Sequence, residues 1–439
     1  MNRLFLAVMM CSLASACSSK SGDEEEAVQG AVENLKYIPS TGGVANGPLT
    51  KKSYSETNET NRRTNTTAYY NTVSVSSNGT TSVGTISSAL STLTAFKTNY
   101  GFNASEVKTF YYNRGDLGIG REMHCQNNSG TTGQIACYVR NFAAGDDGTE
   151  FRFGMSADVA FKNMDNGSPF ATVAMVFRNS APAGQKVFFA VYGADENLTN
   201  VAALDRHGYN AFNGHTDDEG TVGTPGVSYN NHIPSNCLNC HGGTYDSSLK
   251  SVTGALFLPF DLDQFDFQSV VGKTRADQLT SFQTLNGIAS TVAANSGSTV
   301  TGGQVVTEVN GWYSSGSFNS AAYVPSGWST PAQQSVYTSV VRTSCRNCHV
   351  TDSPFGFESP SLFISTAVVQ DLCQLAMPHA LQTMREFWQS SKPAALEAYF
   401  RAGSATDIAQ ANILHDCAPK AVITLDPHRI MATSAVLLQ

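Results

Sequence analysis

The pattern Cys-x-x-Cys-His occurs twice, at Cys237, Cys240 and His241 and again at Cys345, Cys348 and His349. Each copy confines two thiols and an imidazole to five residues, so the backbone around it must turn. The composition of the chain predicts about 0.005 such matches by chance. Two copies with the same histidine placement therefore call for one shared chemistry. A redox dithiol of the thioredoxin kind wants a βαβ setting, which neither motif has. A zinc site built from two thiol pairs spaces them about 15–20 residues apart. Cys240 and Cys345 are much further apart, and zinc gives no reason for a histidine after each pair.

Haem c attachment accounts for all three residue types. Two thiols bond the two vinyl groups, and the imidazole reaches the iron from one side. The expectation is two covalently bound haem c groups. Cys237, Cys240 and His241 hold the first; Cys345, Cys348 and His349 hold the second. His241 and His349 are the proximal iron ligands.

The N-terminus sets the compartment. Arg3 precedes the apolar run "LFLAVMMCSLASA" (4–16), and Cys17 follows. That is an export signal, too short to span a bilayer. "ASAC" resembles the lipobox of bacterial lipoproteins, with Ala14 where Leu is usual. The resemblance implies lipidation at Cys17, a lipid anchor in the cell envelope and, with Ser18 following, the outer membrane. Residues 1–16 are read as the signal peptide and 17–65 as a flexible polar tether, because "SSKSGDEEEAVQG" and "KKSYSETNETNRRTNTT" offer almost nothing to bury. The net charge of −8 argues against nucleic acid as a partner.

Beyond the signal, Cys17 and the two motifs, four cysteines remain. In an oxidising compartment they are expected to pair locally, Cys125 with Cys137 and Cys373 with Cys417, although four cysteines allow three connectivities. The first pair flanks a hairpin signal, "REMHCQNNSGTTGQIACYVRNF".

The fold class expected is α+β, an N-terminal β-rich domain followed by a mostly α-helical haem c region. Residues 66–230 form the β-rich domain, 231–329 the first haem c region and 330–439 the second haem c domain. "TVSVSSNGTTSVG" and "ATVAMVFRNSAPAGQKVFFAVYGA" read as hairpins. "TISSALSTLTAFKTNYGF" reads as one helix with Leu90, Leu93 and Phe96 on a face. Later helices start at Thr330–Pro331, Pro378 and Pro393, with "TRADQLTSFQTLNGIASTVAA" before them and "ATDIAQANILHDC" after.

Distal ligands are harder to place. For the second haem, Met377 is the candidate and His379 the alternative. The Met-Pro pair at 377–378 resembles that of small monohaem cytochromes c, as do "SVYTSVVRTSC" and "PAALEAYF" around it. For the first haem no methionine follows His241 closely. Met123, His124, His207, His215 and His232 precede it, and His124 is preferred; His415 and His428 stay open for either haem. "GALFLPFDLDQFDFQS" (254–269) offers aromatics either to a haem edge or to the core.

Together these features are similar to exported dihaem c-type lipoproteins of Gram-negative bacteria. The resemblance implies an electron carrier that meets an unspecified redox protein partner. The alternative is a dihaem peroxidase- or oxygenase-like enzyme with one open haem.

Overall fold

The structure, a computed structural model, describes residues 59–73, 88–144, 156–200, 233–235, 237–351, 356–364, 368–373 and 380–424. The signal segment, Cys17 and the expected Asn-Gly hairpin at 78–79 lie outside them. The fold is α+β. In chain order the elements are α1 (Glu59–Val73), α2 (Leu93–Asn99), β1 (Val107–Asn113), β2 (Ile119–Asn128), β3 (Gln134–Phe142), α3 (Ala157–Asp165), β4 (Ala171–Arg178) and β5 (Val187–Gly193). Then come α4 (Leu238–His241), β6 (Thr244–Asp246), β7 (Ser251–Thr253), β8 (Phe265–Asp266), α5 (Arg275–Asn295) and α6 (Thr299–Trp312). The last group is α7 (Pro331–Val336), a π turn (Tyr337–Val341), α8 (Arg342–Ser344), α9 (Arg346–His349), α10 (Pro360–Ile364), α11 (Val368–Cys373), α12 (Leu381–Trp388), α13 (Lys392–Arg401) and α14 (Ala405–Thr424).

An antiparallel sheet carries the first half, with strand order β5-β4-β3-β2-β1-β8. The β2–β3 hairpin sets its register. Cys125 pairs directly with Cys137, and the two are joined as a disulfide. The β4–β5 hairpin forms as the apolar runs on each side of its Pro-Gly turn suggest. The edge strand β5 is closed by a helix. Tyr69 and Tyr70 of α1 turn their hydroxyls onto it and accept the N–H groups of Phe189 (2.8 Å) and Val191 (3.1 Å). An edge so occupied cannot recruit another strand. Glu59–Val73 therefore takes in 59–65, the end of the expected tether, because its buried tyrosines have backbone donors to meet.

The expected boundary at 230/231 does not divide the sheet. Strand β8 comes from the later region and pairs with β1. Helix α5 also joins the strands, since Gln278 bonds both the N–H and the carbonyl of Phe110. The segment 85–102 is not one helix. It breaks into a short turn at Ser88–Leu90 and α2, where the Thr92 side chain accepts the Ala95 N–H and caps a new start. Leu90, Leu93 and Phe96 are nevertheless all buried.

Helices α5 and α7 begin as the capping signals indicate. Thr274 with Asp277, and Thr330 with Gln333, form complete capping boxes, and Pro331 opens α7. Helix α6 is not evident from the sequence, given Gly302 and Gly303. It holds by burying Val305, Val309 and Trp312 along one side. A second disulfide, Cys373–Cys417, ties α11 to α14. The interior has two large apolar cores. One packs α1, α2 and α5 on the sheet; the other gathers the helices from α6 to α14.

Candidate functional site

Each Cys-x-x-Cys-His unit closes one helical turn, α4 or α9, and each packs on its own core. Leu238 and Cys237 join the sheet core, while Cys345 and Val350 join the helical one. The two units meet. The Thr351 hydroxyl, two residues past His349, donates to the carbonyl of Cys240. Gly242, with φ +67°, passes so close to the Thr351 carbonyl that no Cβ would fit. Gly243, with φ +79°, is as tightly set against Thr253 and Ala255. The glycine pair after His241 is thus the contact that lets the motifs approach. None of the four motif cysteines is in a disulfide.

Leu256 fixes His241 at two points. Its N–H donates to the His241 carbonyl (2.9 Å), and its own carbonyl lies 2.9 Å from the imidazole Nδ1. A carbonyl can only accept, so Nδ1 carries the proton and Nε2 bears the lone pair. This is the usual second partner of a metal-binding histidine. The ring of Phe189 lies 5.4 Å from that of His241.

Cys237, Cys240 and His241 line a mostly apolar cavity that opens to solvent. One wall is the sheet, with Arg121, Met123 and Met175 among its residues; the other is Phe257–Phe260 with Leu285–Ala289 of α5. The aromatics of the 254–269 segment serve both expected roles, since Phe257 and Phe260 line the cavity and belong to the core. Arg121 supplies charge on this wall. It is paired with Asp116 and donates to Asn141 (3.0 Å), while its Nε is buried with no hydrogen-bond partner. Asn347 and Cys348 of the second motif line the same cavity.

Buried charge ties the second motif to the cavity wall. Arg346 is 1% exposed. It pairs with Asp261, which follows Phe260 directly, and lies 3.8 Å from Glu308. The Tyr337 hydroxyl (3.2 Å) and the Trp312 ring (5.0 Å) complete its surroundings. Burial pushes the Glu308 carboxyl up to about 7, against the pull of Arg346. The Asn347 amide donates to the Gly115 carbonyl in the β1–β2 turn (3.0 Å). That turn also accepts from the start of α12, through Gln382 and Thr383 onto Asp116 and Arg114.

His124 does not face the cavity. Its Nε2 meets Glu122 (2.9 Å), its Nδ1 meets Glu106 (3.2 Å), and its ring stacks on Tyr138 at 4.4 Å. The reason is strand alternation: on β2, Met123 and Cys125 point one way and His124 the other. The cavity face of β2 is thus that of Met123 and Cys125, and the disulfide cysteine was its signal in the sequence. Met377, His379, His207, His215, His232 and His428 lie outside the described residues. His415 is exposed beside Glu397 and far from either motif in its contacts. Gly242, Leu256, Arg121 and Met175 were not singled out by sequence reasoning, because nothing in their own neighbourhoods marks them.

Among the described residues, no three His, Cys, Asp or Glu side chains converge as a metal-ion site. No described helix is long and apolar enough to cross a membrane. Comparison with protein-family models, curated proteins and solved structures found no match. The site's chemistry therefore stands on its own residues. Two thiols and one lone-pair nitrogen at the rim of an apolar cavity suit a flat, apolar, metal-bearing group bonded at its edge and at its metal.

Proposed function

We propose that the chain is a dihaem c-type cytochrome, anchored at Cys17 in the cell envelope and outer membrane, that carries electrons to or from a redox protein partner. The observation that carries this reading is the setting of His241: its Nδ1 is held by the Leu256 carbonyl beside Cys237 and Cys240, at a cavity with mostly apolar walls. Each haem, when bound, supplies a one-electron iron couple. The chain's residues do the rest. Cys237 and Cys240, and Cys345 and Cys348, hold the edges; His241 and His349 hold the irons from one side. The apolar wall around Phe257 and Phe260 excludes water, and Arg121, paired with Asp116, is part of the facing wall. The contact between Thr351 and Cys240 supports transfer from one site to the other. The cytochrome c-like reading of 330–439 belongs to the same proposal and rests on its motif, the Pro331 helix start and the 377–401 stretch.

The test is a pyridine haemochrome assay with intact-mass measurement on the mature protein. Two covalent haems per chain are expected; none would end the reading. The opening of the first cavity to solvent favours one other use, a peroxidase-like enzyme with an open iron. Reduced protein that binds carbon monoxide at the first haem, together with peroxide turnover, would decide for that reading.

A further inference from the structure

The sheet wall of the first cavity holds two thioethers, Met123 and Met175, and among the residues lining it His241 is the one histidine. We propose that Met123 is the sixth ligand of the first haem iron. The inference rests on the haem reading above and adds the one coordinating group that sequence did not place.

Position separates the two methionines. Met175 pairs across the sheet with Phe189, whose ring touches that of His241, so it lies on the imidazole's side of the cavity. Met123 sits on β2, three strand spacings from β5, or about 14 Å away. It lines the same cavity as His241 but away from the Phe189 edge on which the imidazole packs. Met123 pairs with Val139, and the Cys125–Cys137 disulfide locks the next cavity-facing pair of the same hairpin. A ligand held on a stapled strand keeps its place through a change of iron charge. Of the other donors on this wall, the two cysteines are committed to each other and Asp116 to Arg121. A thioether raises the potential relative to a second imidazole, so the first haem becomes the better electron acceptor than a bis-histidine site would be.

The test uses the mature, haem-loaded chain with 13C-labelled methionine methyl groups. In the reduced state an iron-bound methionine gives a methyl resonance shifted far upfield by the porphyrin ring current. Met123→Leu keeps the side-chain volume and removes the sulfur. One upfield methyl is expected to vanish, and carbon monoxide binding to rise by one equivalent per chain. Met175→Leu is expected to change neither. Met123→His is expected to restore a six-coordinate, low-spin haem with a lower potential. Met123→Leu with every upfield methyl intact would overturn the inference, as would loss of one in Met175→Leu. Pyridine haemochrome on the same samples separates the two levels. Haem present with Met123→Leu silent removes the ligand assignment alone; no covalent haem removes the haem reading, and the assignment with it.

Discussion

The hydroxyl of Thr351 donates to the main-chain carbonyl of Cys240. These residues belong to different copies of the motif and to different halves of the fold, yet one hydrogen bond joins them. Around it, Gly242 supplies the space and Arg346 with Asp261 supplies the charge. The two copies thus form one assembly in which the second motif helps to line the cavity of the first.

Gly242→Ala should damage this junction. The new Cβ meets the Thr351 carbonyl, and φ at +67° disfavours a side chain. A loss of about 1–3 kcal/mol is expected in urea unfolding, from the backbone strain alone. Gly303→Ala is the control. It lies in α6 with nothing within 4 Å of its added Cβ. It should gain about 0.5–1 kcal/mol, the ordinary helix preference.

Replacing Cys125 and Cys137 together by serine opens a loop with a sequence separation of 12. Chain entropy then predicts a loss of about 3 kcal/mol. The midpoint of urea unfolding should fall in non-reducing buffer, and added reductant should narrow the gap between wild type and variant.

Glu308 gives stability a pH dependence of definite sign. Its folded pKa, about 7, lies above the ordinary 4.5 because burial outweighs Arg346. Between these values the folded state binds more protons than the unfolded state. Its contribution is therefore full below about pH 4.5 and is lost as pH rises through about 7, at up to ~1.4 kcal/mol per unit. Unfolding free energies measured at pH 5 and pH 7.5 should differ less in Glu308→Gln than in wild type. An unchanged difference would mean that Glu308 titrates normally.

For the second haem, Met377→Ala should remove an upfield methionine methyl from the reduced protein, while His379→Ala should keep it. Met377→Ala with the methyl spectrum unchanged, and His379→Ala with loss of the low-spin band, would give the ligand to His379. Both variants leave Met123 in place, so the two haems can be read separately.

Much of the local structure could be read in advance, because it is decided within a few residues. Thr330 and Pro331 start a helix as their residue types predict, and a polar Gly-rich turn between apolar arms makes the β2–β3 hairpin. The Cys125–Cys137 and Cys373–Cys417 pairs follow from the same locality. His124 shows where such reading stops. Which face of β2 borders the cavity depends on what packs there, and a strand shifted by one residue exchanges Met123 for His124.

By itself, the sequence determined the chemical vocabulary: two Cys-x-x-Cys-His units, an apolar N-terminal run before Cys17, and two local cysteine pairs. Covalent chemistry needs only the right groups at short spacing. Only the tertiary structure decided how the copies stand to each other. It set Gly242 against Thr351, Leu256 against the imidazole of His241, and Met123, not His124, on the cavity wall. These contacts join residues distant in the chain, and the sheet and the two cores bring them together when their apolar surfaces leave water.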